Sequence, residues 1–150
     1  MTGVAVVGAA ETTELGKVPG TSQIQLHADA ALNAFEDAGI SAKDIDGLAT
    51  AGGRPTDLAH YLGIIPTWVD GTAVGGCSFM LHVRHAVAAL VTGQCTTVLI
   101  THGESGRSGI GRDGFGRAPA SLQGQFEAPF GPMGPPTLFT RPVLRYMKNY

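Results

Sequence analysis

Cysteine and charge are both scarce in this 150-residue chain. Cys77 and Cys95 are its only thiols, 18 positions apart, with no CxxC or His–Cys spacing. A zinc site is therefore not expected, nor is the disulfide framework of small secreted domains, and a reducing, cytoplasmic setting fits. Charged residues make up only 15% of the chain and its formal net charge is −2. That leaves no basic footprint for nucleic acid or for an acidic membrane surface. The start, Met1-Thr2-Gly3-Val4-Ala5-Val6-Val7-Gly8, has no basic n-region. It does not read as a signal peptide. No apolar run approaches the roughly 20 residues that cross a bilayer, so no membrane association is expected.

What is present is apolar content, 43%, and 22 glycines. With little net charge, this composition predicts a folded domain with a real core and many tight turns. Val4 to Val7, an apolar run between Gly3 and Gly8, reads as a strand buried on both faces. Thr21 or Ser22 can cap a helix over 23–38, with Ile24, Ala28, Ala31, Leu32 and Phe35 as its apolar stripe and Gly39 as its stop. A short helix is expected after Ser41, and a strand over 46–50. A second helix follows over 55–62, with Pro55 in its first turn, and then a strand broken by Pro66. A helix from Ser78 to Val91, with Leu81, Ala88 and Val91 on one face, precedes the clearest strand, Thr96 to Thr101. This alternation predicts a mainly parallel α/β sheet with helices on both faces. Residues 102–136 are rich in glycine, arginine and proline and read as a long functional or contact loop. Helical character resumes from Leu138 to Tyr150, and its unsealed end reads as part of a longer chain.

The most informative segment is Asp70-Gly71-Thr72-Ala73-Val74-Gly75-Gly76-Cys77-Ser78. Strand, glycine turn, cysteine and helix form an elbow-like arrangement. Unpaired N–H groups and the dipole at a helix start favour thiolate over thiol. Gly75 and Gly76 let a carbonyl approach backbone N–H groups able to hold an oxyanion. The local pattern alone favours a small buried cysteine over a nucleophile. His102 and Glu104 close the best strand at its carboxyl end, where α/β folds bind ligands. Arg107, Arg112 and Arg117 have the chemistry to pair with phosphates, although they also suit a solvated subunit-contact loop. No phosphate-loop pattern occurs. His82 and His85 are candidate bases, or helix residues bonded to neighbouring loops.

Four stretches carry a resemblance. Val74-Gly75-Gly76-Cys77-Ser78-Phe79-Met80-Leu81-His82-Val83 resembles the nucleophile helix of the thiolase superfamily. Val4-Ala5-Val6-Val7-Gly8, His102-Gly103-Glu104-Ser105, and 131–139 leading to Arg145-Tyr146-Met147 resemble the branch of thiolase-like lipid-transfer proteins, related to the thiolase part of sterol carrier protein X. The resemblance implies a thiolase-like α/β fold with a mainly parallel five-stranded sheet, the first half of a duplicated fold, with residues 1–150 as one N-terminal domain reaching into an inserted loop region. It implies a coenzyme A thioester as substrate, no permanently bound cofactor or metal, and a homodimer. Cys77 falls where the family places its acyl-carrying residue. Classical thiolases follow that cysteine with Ser-Ser-Gly, whereas Phe79-Met80 follow Ser78 here. The family's Gly-His-Pro motif and second cysteine are absent from these residues. Three functions follow: acyl transfer or thiolysis through Cys77; retro-aldol cleavage of steroid side-chain CoA thioesters with a zinc-ribbon/OB-fold partner; or non-catalytic lipid or acyl-CoA binding.

Overall fold

The computed structural model describes residues 3–111, 120–131 and 135–150, and it divides at Gly111 into two compact units. Arg112 and Arg117 lie outside the described residues, as does part of the 131–139 stretch.

In the first unit, helix α1 spans Gln23–Ala38, strand β1 Gly47–Ala51, helix α2 Pro55–Leu62, strand β2 Trp68–Asp70, helix α3 Ser78–Val91 and strand β3 Val98–His102. The local signals that set these limits are physical stops. Ser22 caps α1 in a reciprocal box with Gln25, satisfying N–H groups that have no partner within the helix. Gly39 and Gly63, at φ 69°, end α1 and α2 in left-handed turns, a conformation glycine adopts without steric cost. A one-turn 3-10 helix at Ala42–Asp44 leads into β1.

The sheet is parallel, in the order β2-β1-β3, with Leu48 opposite Leu99 and Ala49 opposite Ile100. Side-chain alternation gives β1 two different faces. Leu48 joins Ala31, Phe35, Ile45, Leu58, Ala59, Ile64 and Leu99 in the core beneath α1 and α2. Ala49 points the other way, where α3 covers the sheet with Ser78, His82, Ala86 and Ala89. Asp46 ties the start of β1 to that of β3: its carboxylate accepts from the Thr96 N–H and hydroxyl and the Thr97 N–H, all at 2.8–2.9 Å.

Four expectations need correction. The sheet has three strands among the described residues, not five. Val4–Val7 pairs with no strand among the described residues, and its valines are exposed. It is fixed instead to α1: the Ala9 N–H donates to Asp37 Oδ2 at 2.9 Å, and Gly8 packs so closely that a Cβ would stand 2.6 Å from Ala34 O. The α1 stripe omits Leu32, which is 56% exposed. On α3 the buried face is Ser78, His82, Ala86 and Ala89 rather than Leu81, Ala88 and Val91. That helix is apolar nearly all round, so periodicity could not tell which side meets the sheet.

The second unit holds the short helix α4, Leu122–Phe126, a 3-10 turn at Ala128–Phe130, and helix α5, Pro135–Asn149. Within it the Arg141 guanidinium donates to Phe130 O and lies 5.5 Å from the centre of that ring.

Candidate functional site

The parallel strands end together at Ala51, Asp70 and His102, and the loop leaving β2 carries Cys77. Four side chains shape this loop. Asp70 Oδ1 accepts from the Thr72 N–H at 2.9 Å and hydroxyl at 2.7 Å, turning the chain back on itself. Asp70 Oδ2 meets His85 Nδ1 at 2.6 Å. Partial burial pushes the Asp70 carboxyl upward, but hydrogen bonds from Thr72 and His85 outweigh it and leave the group below the usual carboxylate range. His82, fully buried, reaches Thr72 O with Nε2 at 2.9 Å. Because a carbonyl only accepts, Nε2 carries the proton and Nδ1 is left without a partner among the described residues. Ser78, also buried, donates to Gly75 O at 2.6 Å and accepts from the Val74 N–H at 2.9 Å. The two histidines are loop-bonded helix residues.

Cys77 is therefore the exposed N-cap of α3 on a loop clamped from below. Gly75 has φ 93°, a left-handed conformation, and nothing stands within 4 Å of where a Cβ on Gly75 or Gly76 would lie. The peptide edge beside the thiol is open. Phe79 and Met80 are exposed in the first turn of α3. They are the residues that depart from the Ser-Ser-Gly of classical thiolases.

The other candidates gather elsewhere. His102 Nε2 is 3.5 Å from Glu104 Oε2, with both side chains half exposed. Glu104 and Arg107 line a 290 Å³ pocket with Thr12, Leu15, Val18 and Leu26. Cys77 lines neither this pocket nor the larger groove beside β3. Among the described residues no group of three or more His, Cys, Asp or Glu side chains is placed to hold a metal.

Sequence reasoning passed over a buried polar cluster at the strand ends. His27, 3% exposed in α1, meets the hydroxyls of Thr101 at 2.9 Å and Thr50 at 3.3 Å through Nδ1. Its Nε2 is buried and without a partner among the described residues. Burial first, and the nearby His102 charge second, push its pKa down to about 4. Gln23 Nε2 donates to Gly103 O at 3.0 Å. Gly103 lies flat on the imidazole: a Cβ there would be 2.7 Å from His27 Cδ2. The available signal was a lone histidine inside the apolar stripe of α1.

No protein-family profile matches the chain. Against solved structures, it superposes over 97% of its length on 38% of the Ltp2-ChsH2(DUF35) aldolase, with TM-score 0.78 and 28% identity. A monomeric SCP2-thiolase like protein type 1 from Mycobacterium smegmatis matches 66% of the chain at TM-score 0.56 and 26% identity. The chain is thiolase-like. Among curated proteins, this thiolase-like chain is 30% identical over 160 residues to a steroid side-chain-cleaving aldolase of Thermomonospora curvata, covering 99% of the chain and 40% of the relative. It is 32% identical over 114 residues to the 17-hydroxy-3-oxo-4-pregnene-20-carboxyl-CoA lyase of Mycobacterium tuberculosis, covering 73% and 30%. The thiolase-like chain thus spans less than half the length of these relatives.

Proposed function

We propose that the chain is part of a thiolase-like enzyme that cleaves a carbon–carbon bond in a bulky CoA thioester by retro-aldol chemistry. The observation that carries this reading is the likeness to both an aldolase and a lyase named for steroid side-chain substrates. The substrate class follows from the chemistry: a hydroxyl β to the thioester carbonyl. A base removes the hydroxyl proton, the Cα–Cβ bond breaks, and the electron pair moves into the thioester as an enolate. Protonation of that enolate leaves a ketone and a shortened acyl-CoA. No cysteine adduct and no permanently bound cofactor enter this sequence. Phe79 and Met80, exposed where classical thiolases keep small residues, suit a larger acyl group. The exposed Arg107, beside Glu104 at the second pocket, is the described arginine offered to CoA phosphates. A small zinc-ribbon/OB-fold protein is the proposed partner, supported by the two-component name of the Ltp2-ChsH2(DUF35) structure; homodimerisation belongs to the same proposal.

One observation favours a second reading, acyl transfer through Cys77: the thiol is exposed at a helix start beside the open Gly75–Gly76 edge. The two differ in what Cys77→Ala does to the longer polypeptide supplied with β-hydroxyacyl-CoA or with β-ketoacyl-CoA plus CoA. Retro-aldol cleavage predicts ketone and shortened acyl-CoA from the hydroxy substrate without free CoA, at a rate the variant changes by less than about threefold. A CoA-dependent reaction abolished by Cys77→Ala, with an acyl group on Cys77 by mass spectrometry, establishes the second reading. Turnover of neither substrate sinks both.

A further inference from the structure

The residues that close β3 alternate in exposure: His102 and Glu104 are exposed, and Gly103 between them is buried. Gly103 rests on one end of α1. Gln23 and His27 stand four positions apart there and so share a helix face. Gln23 Nε2 donates to Gly103 O at 3.0 Å. Three atoms of the His27 ring lie 2.7–3.0 Å from the point where a Gly103 Cβ would stand. The ring is itself tied to β1 and β3 through Thr50 and Thr101. Gly111 closes on the same spot: a Cβ there would be 2.8 Å from Gly103 O and 2.9 Å from Gln23 Nε2. Both ends of the loop 103–111 thus meet at one side-chain amide. Between those ends the loop keeps its own shape. Ser105 and Ile110 exchange N–H···O bonds at 2.9 and 3.1 Å, and the Ser108 N–H donates to Ser105 O at 3.0 Å. Ser105 Oγ also donates to Gly16 O, and Ser108 Oγ accepts from the Val18 N–H, both at 2.8 Å. Those last bonds join one loop to another, whereas Gln23 and His27 join the loop to a helix.

We propose that Gln23 and His27 are positioning residues: they fix the Gly103 peptide, and through it the loop that presents Glu104 and Arg107 at the second pocket. The inference rests on the reading of Arg107 as a contact for CoA phosphates. A phosphate met by a loop already in place costs less ordering on binding than one met by a loop that must first settle. Leu26, next to His27 in sequence, is buried and lines that same pocket, so α1 supplies an apolar wall and also holds the charged rim. Neither residue touches the substrate; each acts through Gly103. Gln23 does more than fill space, because an apolar side chain of its length would leave the buried Gly103 carbonyl without this donor.

The test uses the longer polypeptide and Gln23→Met, which keeps the side chain's length and removes the donor. The Ser105, Ser108 and Ile110 amides are expected to exchange hydrogen roughly fivefold faster, the worth of one hydrogen bond, while those of β1 and β3 change by less than about twofold. Unchanged loop amides, or an acceleration spread equally over the sheet, overturn the proposal. For His27 the probe is a double-mutant cycle with Gly103→Ala. Alone, the added methyl should speed the loop amides; combined with His27→Asn, which leaves room beneath it, the effects should fall short of their sum. Strict additivity means that the ring does not carry Gly103, and the role of His27 is lost. Kinetics separate positioning from bulk stability. KM is measured for a β-hydroxyacyl thioester of CoA and for the same acyl thioester of pantetheine, which lacks the phosphates. Gln23→Met is expected to raise KM roughly fivefold for the CoA thioester only, with kcat within about twofold for both. An equal loss of kcat on both substrates indicates a merely structural role and refutes the inference. Arg107→Ala is the reference. If it raises KM for the CoA thioester and Gln23→Met does not, the inference falls and the CoA reading stands. If Arg107→Ala has no effect, the CoA reading falls, and the exchange rates alone uphold or overturn the positioning.

Discussion

His27 should make the protein acid-labile well above the pH at which carboxylates titrate. In the folded chain its pKa is about 4, against about 6.5 for an unrestrained imidazole. Between those values the unfolded chain binds a proton that the native one refuses, so stability rises with pH across the window. The contribution is complete above pH 6.5 and is lost as pH falls towards 4. At 1.36 kcal/mol per unit, the whole shift amounts to about 3 kcal/mol, of which about 2 kcal/mol disappears between pH 7.5 and 5. Stopping at pH 5 keeps Asp46 and Asp70 ionised, since both are held below the ordinary carboxylate range. The assay is equilibrium urea unfolding at the two pH values for the wild type and His27→Gln. The variant is expected to lose about 1–3 kcal/mol at pH 7.5, because the Thr50 and Thr101 hydroxyls lose their imidazole partner. Its further loss on going to pH 5 should be smaller than the wild type's by about 2 kcal/mol. An NMR titration of the imidazole reads the same quantity directly. If His27 titrates near 6.5, or if both proteins lose equal stability, the account of its burial is wrong.

Two further substitutions probe the strand ends and strand starts. Gly103→Ala places a methyl 2.7–3.0 Å from three atoms of the His27 ring, which the two threonine hydroxyls hold in place; a cost of about 1–3 kcal/mol is expected in thermal or urea unfolding, and an unchanged midpoint would show that the ring has room to move. Asp46→Ala removes an acceptor for three donors from Thr96 and Thr97, and should cost about 1–3 kcal/mol at neutral pH. The wild type should lose that contribution in acid below the ordinary aspartate range, because the Thr96 and Thr97 donors hold the native carboxyl's pKa down, and a pH-independent difference between the two proteins would refute the assignment.

How far the sequence reached depended on whether a signal was local. Helices α1, α2 and α3 lie at their expected limits because serine and glycine caps, Pro55 and Gly93 act over a few residues. The glycine turn before Cys77 was legible for the same reason, and so were the loop-bonded roles of His82 and His85. The pattern of α3 did not say which face is buried, since apolar residues surround it. Val4–Val7 had the composition of a buried strand and lies exposed, because its burial depends on a neighbour that no local property supplies. The tertiary structure alone brought His27 to Thr50 and Thr101 across 23 and 74 positions. It also separated Cys77 from the Glu104–Arg107 pocket, which proximity along the chain could not foretell. Composition, caps and the four thiolase-like stretches determined the class of fold and singled out Cys77. Strand order and the partners of buried polar groups were decided only by packing, where energies depend on residues distant in sequence.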